Sequence, residues 1–293
     1  MSPYLKVEKL RNSLDGFTLE DISFELNEGE IILIGGRNGS GKTSLLETLS
    51  LVDRPIEGDV TFFEKKIFDG SLKKKDLPSV KENIGIQFQG DDLFKNLTVI
   101  ETFELFSENY GLDDVSEIVF RCPYLEGIFD KKISHLSEGK TQLVKFLLSI
   151  IHEPKVVFLD EPVSNLDNDT RSWIYRKIKE MRSEGTSFMI TLNNLWKIGD
   201  ISNELMIIED GGIYDRVKEF SKYYRGCLLK LPIECDIDKY IDRPWVLNII
   251  KKDDHYDVFS KFSMKSIVQR SDIDHFDLRD VELRDFLPEG QNR

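Results

Sequence analysis

The chain has no apolar run approaching the roughly 18 to 20 residues that a membrane-spanning helix needs. Its longest apolar candidates, around Ile31–Ile34 and Phe146–Ile151, have the length of a core strand or a helix segment. The first residues, Met1-Ser2-Pro3-Tyr4-Leu5-Lys6-Val7-Glu8, lack the apolar centre of a secretory signal. The expected location is therefore cytoplasmic, with any membrane role supplied through a partner. Cysteine is scarce: Cys122, Cys227 and Cys235 form no C-x-x-C pair, and an odd count without a signal suits reduced thiols. The four histidines, His135, His152, His255 and His275, show no paired spacing, so no structural metal is expected. Positive charge is in deficit as well. A formal net charge of −13 argues against a nucleic-acid partner, because phosphate backbones are held mainly by Lys and Arg. The one basic run, Lys73-Lys74-Lys75, reads best as a solvated loop. No internal repeat and no low-complexity segment is visible.

What remains is a globular composition, 40% hydrophobic and 32% charged, over 293 residues: one large domain, or a domain with an appendage. Short β-rich segments stand at Leu19–Leu26, Glu30–Ile34, Asp59–Phe63, Ile84–Phe88, Lys155–Leu159, Ser187–Thr191 and Glu204–Ile208. Helical patterns lie between several of them, at Lys42–Leu51, Val99–Tyr110, Gly139–His152 and Asp169–Ser183. Val156-Val157-Phe158-Leu159 is apolar on both faces, as a strand buried between helices must be. The pattern predicts an α/β sandwich with a partly parallel sheet and a more antiparallel N-terminal portion. Beyond about Arg225 the texture changes. Cys227–Leu231, Trp245–Lys251 and Tyr256–Phe262 read as short strands, and Phe276–Leu287 as a closing helix contacting the core through Leu278, Val281 and Phe286. The expected division is a main domain over 1–220, with a helical subdomain at about 90–150, and a small α+β appendage over 221–293.

Chemistry enters at Gly36-Arg37-Asn38-Gly39-Ser40-Gly41-Lys42-Thr43, between an apolar strand and a helical run starting Ser44-Leu45-Leu46. Glycines let a loop wrap so closely that its N–H groups point at phosphate oxygens, and the following helix adds its positive end. Lys42 is placed for the β- and γ-phosphates, and the Thr43 hydroxyl for Mg²⁺. Downstream, an apolar strand ends in Asp160-Glu161. An aspartate there suits the Mg²⁺ shell, and the adjacent glutamate suits orienting or polarising the attacking water. ATP and Mg²⁺ are the implied cofactors.

Three further segments narrow the class. Leu136-Ser137-Glu138-Gly139-Lys140 precedes a helix, Gln89 ends the strand Ile84–Phe88, and Ser164-Asn165-Leu166-Asp167 follows Glu161-Pro162. In this order they resemble the signature, Q-loop and D-loop of ABC (ATP-binding cassette) proteins, over roughly residues 5–215. The resemblance implies a P-loop sandwich of ABC type in which two cassettes pair head to tail, each closing the other's nucleotide site. It implies catalytic roles for Glu161, Gln89 and Lys42, and a metal set of Thr43, Gln89 and Asp160. Nucleotide contacts fall on Gly36, Asn38, Gly39, Ser40, Gly41, Lys42, Thr43 and Ser44, with Asp167. Ser137 and Gly139 fall on the γ-phosphate bound by the partner's loop.

Leu97-Thr98-Val99-Ile100-Glu101 through Phe106 is similar to the helix after the Q-loop in exporter-type bacterial cassettes, where it receives short helices of a separate membrane permease. Val99, Phe103 and Phe106, at helical spacing, also fit ordinary core packing. The implied protein is an ATPase subunit, peripheral on the inner membrane face, driving a permease in export. Two alternatives stay open: a soluble ABC ATPase remodelling a ribosome, DNA or another complex, and a non-hydrolysing assembly factor.

The pattern is broken in three places. Glu138 and Lys140 replace a glycine and a glutamine of the usual signature. Ser137 and Gly139, the expected phosphate contacts, are kept, so the change is expected to be tolerated, at most weakening closure by like-charge repulsion with the γ-phosphate. Where an aromatic usually stacks on adenine stands Arg11-Asn12-Ser13-Leu14-Asp15, with Phe17 nearest and Arg11 an alternative planar group. The switch histidine position after Phe188–Thr191 falls on Leu192, and Asn193 substitutes only if the loop shifts by one residue. Slow or partner-dependent hydrolysis is the expectation.

Overall fold

The computed structural model describes residues 2–14, 17–52, 55–69, 73–90, 93–115, 117–192, 198–224, 227–241, 246–260, 277–280 and 286. The chain divides into two compact units, one formed by Met1–Leu192 with Met206–Tyr214, the other by Asn193–Leu205 with Asp215–Arg293.

The first unit opens with two long strands, β1 (Leu5–Leu14) and β2 (Phe17–Leu26). With β4 (Glu57–Phe62) and β5 (Lys65–Asp69) they form an antiparallel sheet ordered β2-β1-β4-β5. A second sheet has the order β10-β9-β3-β8-β7-β6, with β3 (Ile31–Gly35), β6 (Ile84–Gln87), β7 (Val156–Asp160), β8 (Ser187–Thr191), β9 (Glu204–Glu209) and β10 (Gly212–Lys218). β3, β8, β7 and β6 are parallel neighbours. Every residue of β3, β7 and β8 is buried, which is what near-continuous apolar runs predict for a parallel sheet covered on both faces. Helix α1 (Lys42–Leu49) packs on β7 and β8 and buries Leu45, Leu46 and Leu49 in the core that also holds Leu5, Ile22, Phe62 and Phe158.

Parallel register is what builds the site. Ile34 of β3 and Asp160 of β7 both pair with Thr191 of β8, so three strands end level with one another at their carboxyl edges. Loops leaving this edge converge, as they do wherever parallel strands of an α/β sheet carry ligands.

A short helix α2 (Leu77–Lys81) precedes β6. The helical segment after β6 holds α3 (Val99–Asn109), α4 (Glu117–Phe120) and α5 (Glu138–Ile150), and α6 (Asn168–Ser183) follows β7. The start of α3 has a local cause. Glu101 N–H donates to Thr98 Oγ1 at 3.2 Å, and Thr98 N–H donates to the Glu101 carboxylate at 2.7 Å. That reciprocal cap satisfies two otherwise orphaned donors and holds the Glu101 carboxyl below its usual pKa. Val99 and Phe103 are buried in the interior and Phe106 is half-buried. Lys73 of the basic run pairs with Asp69 at 2.9 Å.

The second unit is a four-stranded antiparallel sheet ordered β12-β13-β11-β14, from β11 (Cys227–Pro232), β12 (Val246–Lys251), β13 (His255–Ser260) and β14 (Asp277–Asp280). Helices α7 (Phe220–Tyr224) and α8 (Asp238–Ile241) accompany it. Leu229, Leu231 and Val258 form one small core, while the rings of Phe220, Tyr223, Phe259 and Phe286 make another. The closing helix expected over Phe276–Leu287 is corrected here: Asp277–Asp280 is a strand pairing antiparallel with Lys230–Cys227. An open β11 edge offers the segment a strand to pair with, and sequence spacing carries no trace of such a distant partner. Among the described residues, no helix is long and apolar enough to cross a membrane.

Candidate functional site

The loop from Gly36 to Thr43 leaves β3 and turns into α1. Gly41 caps the helix at φ +105°, and a Cβ there would stand 2.4 Å from the Phe17 ring. A side chain is excluded by backbone and space alike. Lys42 is buried, and its ammonium donates to the carbonyls of Gly36 at 3.0 Å and Arg37 at 2.9 Å. Burial lowers the Lys42 pKa, while the carboxylates of Glu161 and Asp160 pull it back up. Asn38 and Gly39 are exposed at the loop tip, Thr43 is exposed at the mouth, and Ser44 is half-buried behind it. The Ser40 hydroxyl is buried and has no hydrogen-bond partner among the described residues. A hydroxyl left without a partner inside a glycine-rich loop is free to bond a polar ligand seated there.

Asp160 ends β7, and its carboxylate is shared between two hydroxyls. Thr43 Oγ1 donates to Oδ2 at 2.8 Å, and Thr191 Oγ1 makes a short bond to Oδ1. Thr191 also accepts from Glu161 N–H at 3.0 Å. Glu161 itself stands at φ +48°, a left-handed backbone that costs a non-glycine residue about 1–2 kcal/mol and persists only when its surroundings fix it. Those surroundings are visible. Its carbonyl accepts from Gln142 Nε2 at 3.0 Å and Ser164 Oγ at 2.9 Å, and its carboxylate accepts from Gln89 Nε2 at 3.2 Å. The loop, Asp160, Glu161 and Gln89 therefore form one constellation at the sheet's carboxyl edge.

Ser137, Gly139 and Asp167 gather in a second cluster, lining a groove of about 450 Å³ with Glu138, Lys140 and Asn165. Ser137 caps α5 through a long 3.4 Å bond from Lys140 N–H. The two signature substitutions have partners in their own chain. Glu138 accepts from Asn165 Nδ2 at 2.7 Å, and Lys140 Nζ donates to the Tyr124 carbonyl at 2.8 Å. A Cβ on Gly139 would lie 2.8 Å from the Asn165 carbonyl, so glycine is what lets α5 approach the loop after β7. Asp167 caps α6, accepting from Asp169 N–H at 3.0 Å, Thr170 N–H at 2.8 Å and Thr170 Oγ1 at 2.8 Å. The bonds from Thr170 hold its carboxyl below the usual carboxylate pKa.

Two residues of this constellation escaped the sequence reading. Thr191 joins Asp160 and Glu161 through one hydroxyl, and Gln142 reaches Glu161 from α5. A threonine ending an apolar strand, and a buried glutamine on an otherwise apolar helix face, were the available signals. Leu192 is buried, with its N–H donating to the Ile34 carbonyl at 3.2 Å, and Asn193 lies outside the described residues. Of the two candidate adenine platforms, Phe17 lies against the phosphate loop at Gly41. Arg11 is half-exposed, between Glu20 and Glu57 at 3.7 and 3.9 Å.

The comparisons with known proteins bear on the family and the fold. The family model described as ABC transporter matches residues 19–164. An uncharacterised ABC transporter ATP-binding protein, MJ1023 of Methanocaldococcus jannaschii, is 30% identical over 218 residues, covering 72% of this chain and 76% of the relative. The cell division ATP-binding protein FtsE of Bacillus subtilis is 28% identical over 201 residues, covering 66% of this chain and 86% of FtsE. Among solved structures, a dimeric post-hydrolysis state of the cassette MJ0796 bound to ADP and phosphate superposes with a TM-score of 0.64 at 23% identity, over 73% of this chain and 98% of that one. CbiO1 of Clostridium perfringens, part of the transporter complex CbiONQ, gives 0.59 at 27% identity, over 76% of this chain and 90% of its own. The chain belongs to the ABC transporter family, as an ATP-binding subunit whose ATP hydrolysis is coupled to transport.

Proposed function

We propose that this chain is the motor subunit of an ABC exporter, closing on ATP as a head-to-tail dimer beneath separate membrane permease subunits at the inner face of the cell membrane. The observation that carries the reading is the convergence of Lys42, Thr43, Asp160, Glu161 and Gln89 on one edge of the parallel sheet. ATP is the substrate. Its phosphates take the Lys42 ammonium, the loop amides and the Ser40 hydroxyl, with the positive end of α1 beneath them. Glu161, held by Gln89, accepts a proton from the water that attacks the γ-phosphorus.

A hydroxyl and a carboxylate are hard oxygen donors, and Thr43 with Asp160 fits Mg²⁺, as does the Gln89 side-chain carbonyl. When bound, the metal neutralises charge on the phosphate oxygens. Asp160 is fixed for that task by Thr191, which holds its other oxygen. Ser137 and Gly139 reach the γ-phosphate of the partner's site, completing a binding surface that neither chain has alone. Asp167 contributes by fixing the start of α6 beside that surface.

Export rests on the resemblance of Leu97-Thr98-Val99-Ile100-Glu101 to the helix that follows the Q-loop in exporter-type bacterial cassettes; here Thr98 and Glu101 cap that helix. Relatives named for import also exist, such as the arabinose import protein AraG of Mannheimia succiniciproducens at 27% identity. Co-purification of the full chain from detergent-solubilised cells tests the permease partnership. A polytopic membrane protein is expected; ribosomes or DNA in its place would contradict it.

Turnover is expected to be slow, because the position of the switch histidine carries Leu192, whose side chain is apolar and buried. A kcat below about 1 s⁻¹, under the usual range for enzymes, is the expected result. Turnover of tens per second, unchanged by Asn193→Ala, would remove this part of the reading.

A further inference from the structure

The face of α5 that carries Gly139 also carries Gln142, because residues three apart in a helix lie side by side. Both meet the stretch of the same chain that follows β7. Gly139 abuts the Asn165 carbonyl, Glu138 bonds the Asn165 side chain, and Gln142 Nε2 donates to the Glu161 carbonyl at 3.0 Å. Gln142 is 8% exposed, so its amide is spent on this contact rather than on water.

Glu161 needs such a contact. Its left-handed backbone is clamped on both sides, by Thr191 at the N–H and by Gln142 and Ser164 at the carbonyl. Thr191 belongs to β8 and Ser164 is local, so Gln142 is the clamp member that comes from the signature helix. A shift of α5 along or about its axis moves the Gln142 amide and, through it, the peptide that aims the Glu161 carboxylate.

We infer that Gln142 is a positioning residue that ties the signature helix to Glu161 of the same chain. The helix whose start clamps the partner's nucleotide then also sets the aim of the base in its own site. Closure of one site of the dimer is thereby communicated to the chemistry of the other. This inference rests on the proposed function above, because it presupposes Glu161 as the base.

The test is steady-state ATP turnover of the full chain, in the assembly in which the parent is active, for Gln142→Leu and Gln142→Glu. Leucine is close in volume and removes the donor. The Leu variant is expected to lower kcat about ten-fold while KM for ATP stays within about two-fold, the pattern of a lost interaction that matters only for reaction. The Glu variant distinguishes positioning from packing. Its introduced carboxylate is buried against a carbonyl oxygen, which raises its pKa, and only the protonated form donates to Glu161. As pH falls from about 8.5 to about 6, the ratio of Glu-variant to parent kcat should rise toward one, while the Leu ratio stays flat.

A Leu variant with kcat within about two-fold of the parent would overturn the inference. So would two ratios that stay parallel at every pH. Should the Leu variant fail to fold, the slope of the Glu ratio decides alone. A parent that binds ATP but never turns it over overturns the proposed function itself, an outcome read before any ratio is formed.

Discussion

Lys42→Ala is expected to weaken ATP binding by about 100-fold or more, the size of one or two charge-assisted hydrogen bonds to phosphate. Two loop carbonyls, of Gly36 and Arg37, converge on the Lys42 ammonium at 3.0 and 2.9 Å. The buried ammonium is also drawn by Asp160 and Glu161. Bound phosphate adds negative charge to the same cation and favours its charged form further. Alanine removes the charge and also leaves both loop carbonyls unpaired, so the cradle loosens as the attraction is lost. Lys42→Met also removes the charge and donors but keeps the apolar stem, so the difference between the two variants reports what the packing of the stem adds. Both variants should lose affinity in calorimetric titration with ATP, with alanine the worse. Retained affinity in both would show that the nucleotide binds elsewhere.

Glu161→Gln is expected to act on the other half of the cycle. The amide keeps the size of the side chain and an oxygen for Gln89 to donate to, but it accepts no proton from water. Turnover should fall by about 100-fold to 10,000-fold, the usual contribution of a positioned base, while ATP affinity stays within a few-fold. The backbone contacts of residue 161 involve its N–H and carbonyl, which the substitution leaves alone. A variant that loses affinity as strongly as turnover would instead place Glu161 in substrate binding.

The parts of this site that were legible in the sequence are those in which chemistry and local structure are contiguous. A glycine-rich loop between an apolar strand and a helix, and a buried strand ending in two acids, carry their own context. The helical pattern over Val99–Tyr110 is likewise local, and the cap of Thr98 and Glu101 that starts the helix, seen only in the structure, lies within four residues. What escaped depends on register and on distant partners. Thr191 acquires its role because β8 aligns it with Asp160 of β7 and Ile34 of β3. Gln142 acquires its role because glycine at 139 lets α5 settle on the loop after β7.

The fold shows the same division. β7 and β8 follow directly from runs that are apolar on both faces. β1 does not, because irregularities between Val7 and Leu10 and between Leu10 and Asn12, with Lys9 at φ +49°, break the alternation that marks a strand. In the second unit, Leu278, Val281 and Phe286 have spacing compatible with a helix, yet Asp277–Asp280 pairs with β11. A strand edge made some fifty residues earlier decides that segment, and local periodicity does not record it.

In the proposed function the Gly36–Thr43 loop is half of a site, completed by Ser137 and Gly139 of a second copy or a related cassette. The most direct measurement is the solution mass of the Glu161→Gln protein, by light scattering after gel filtration, with ATP and Mg²⁺ and then with ADP. Without hydrolysis to release it, the ATP-bound form should double its mass, return to the monomer with ADP, and fail to double when Ser137→Arg is added. An ATP-saturated protein that keeps the same mass as with ADP, in the presence of its native cassette partner as well as alone, would contradict the composite site.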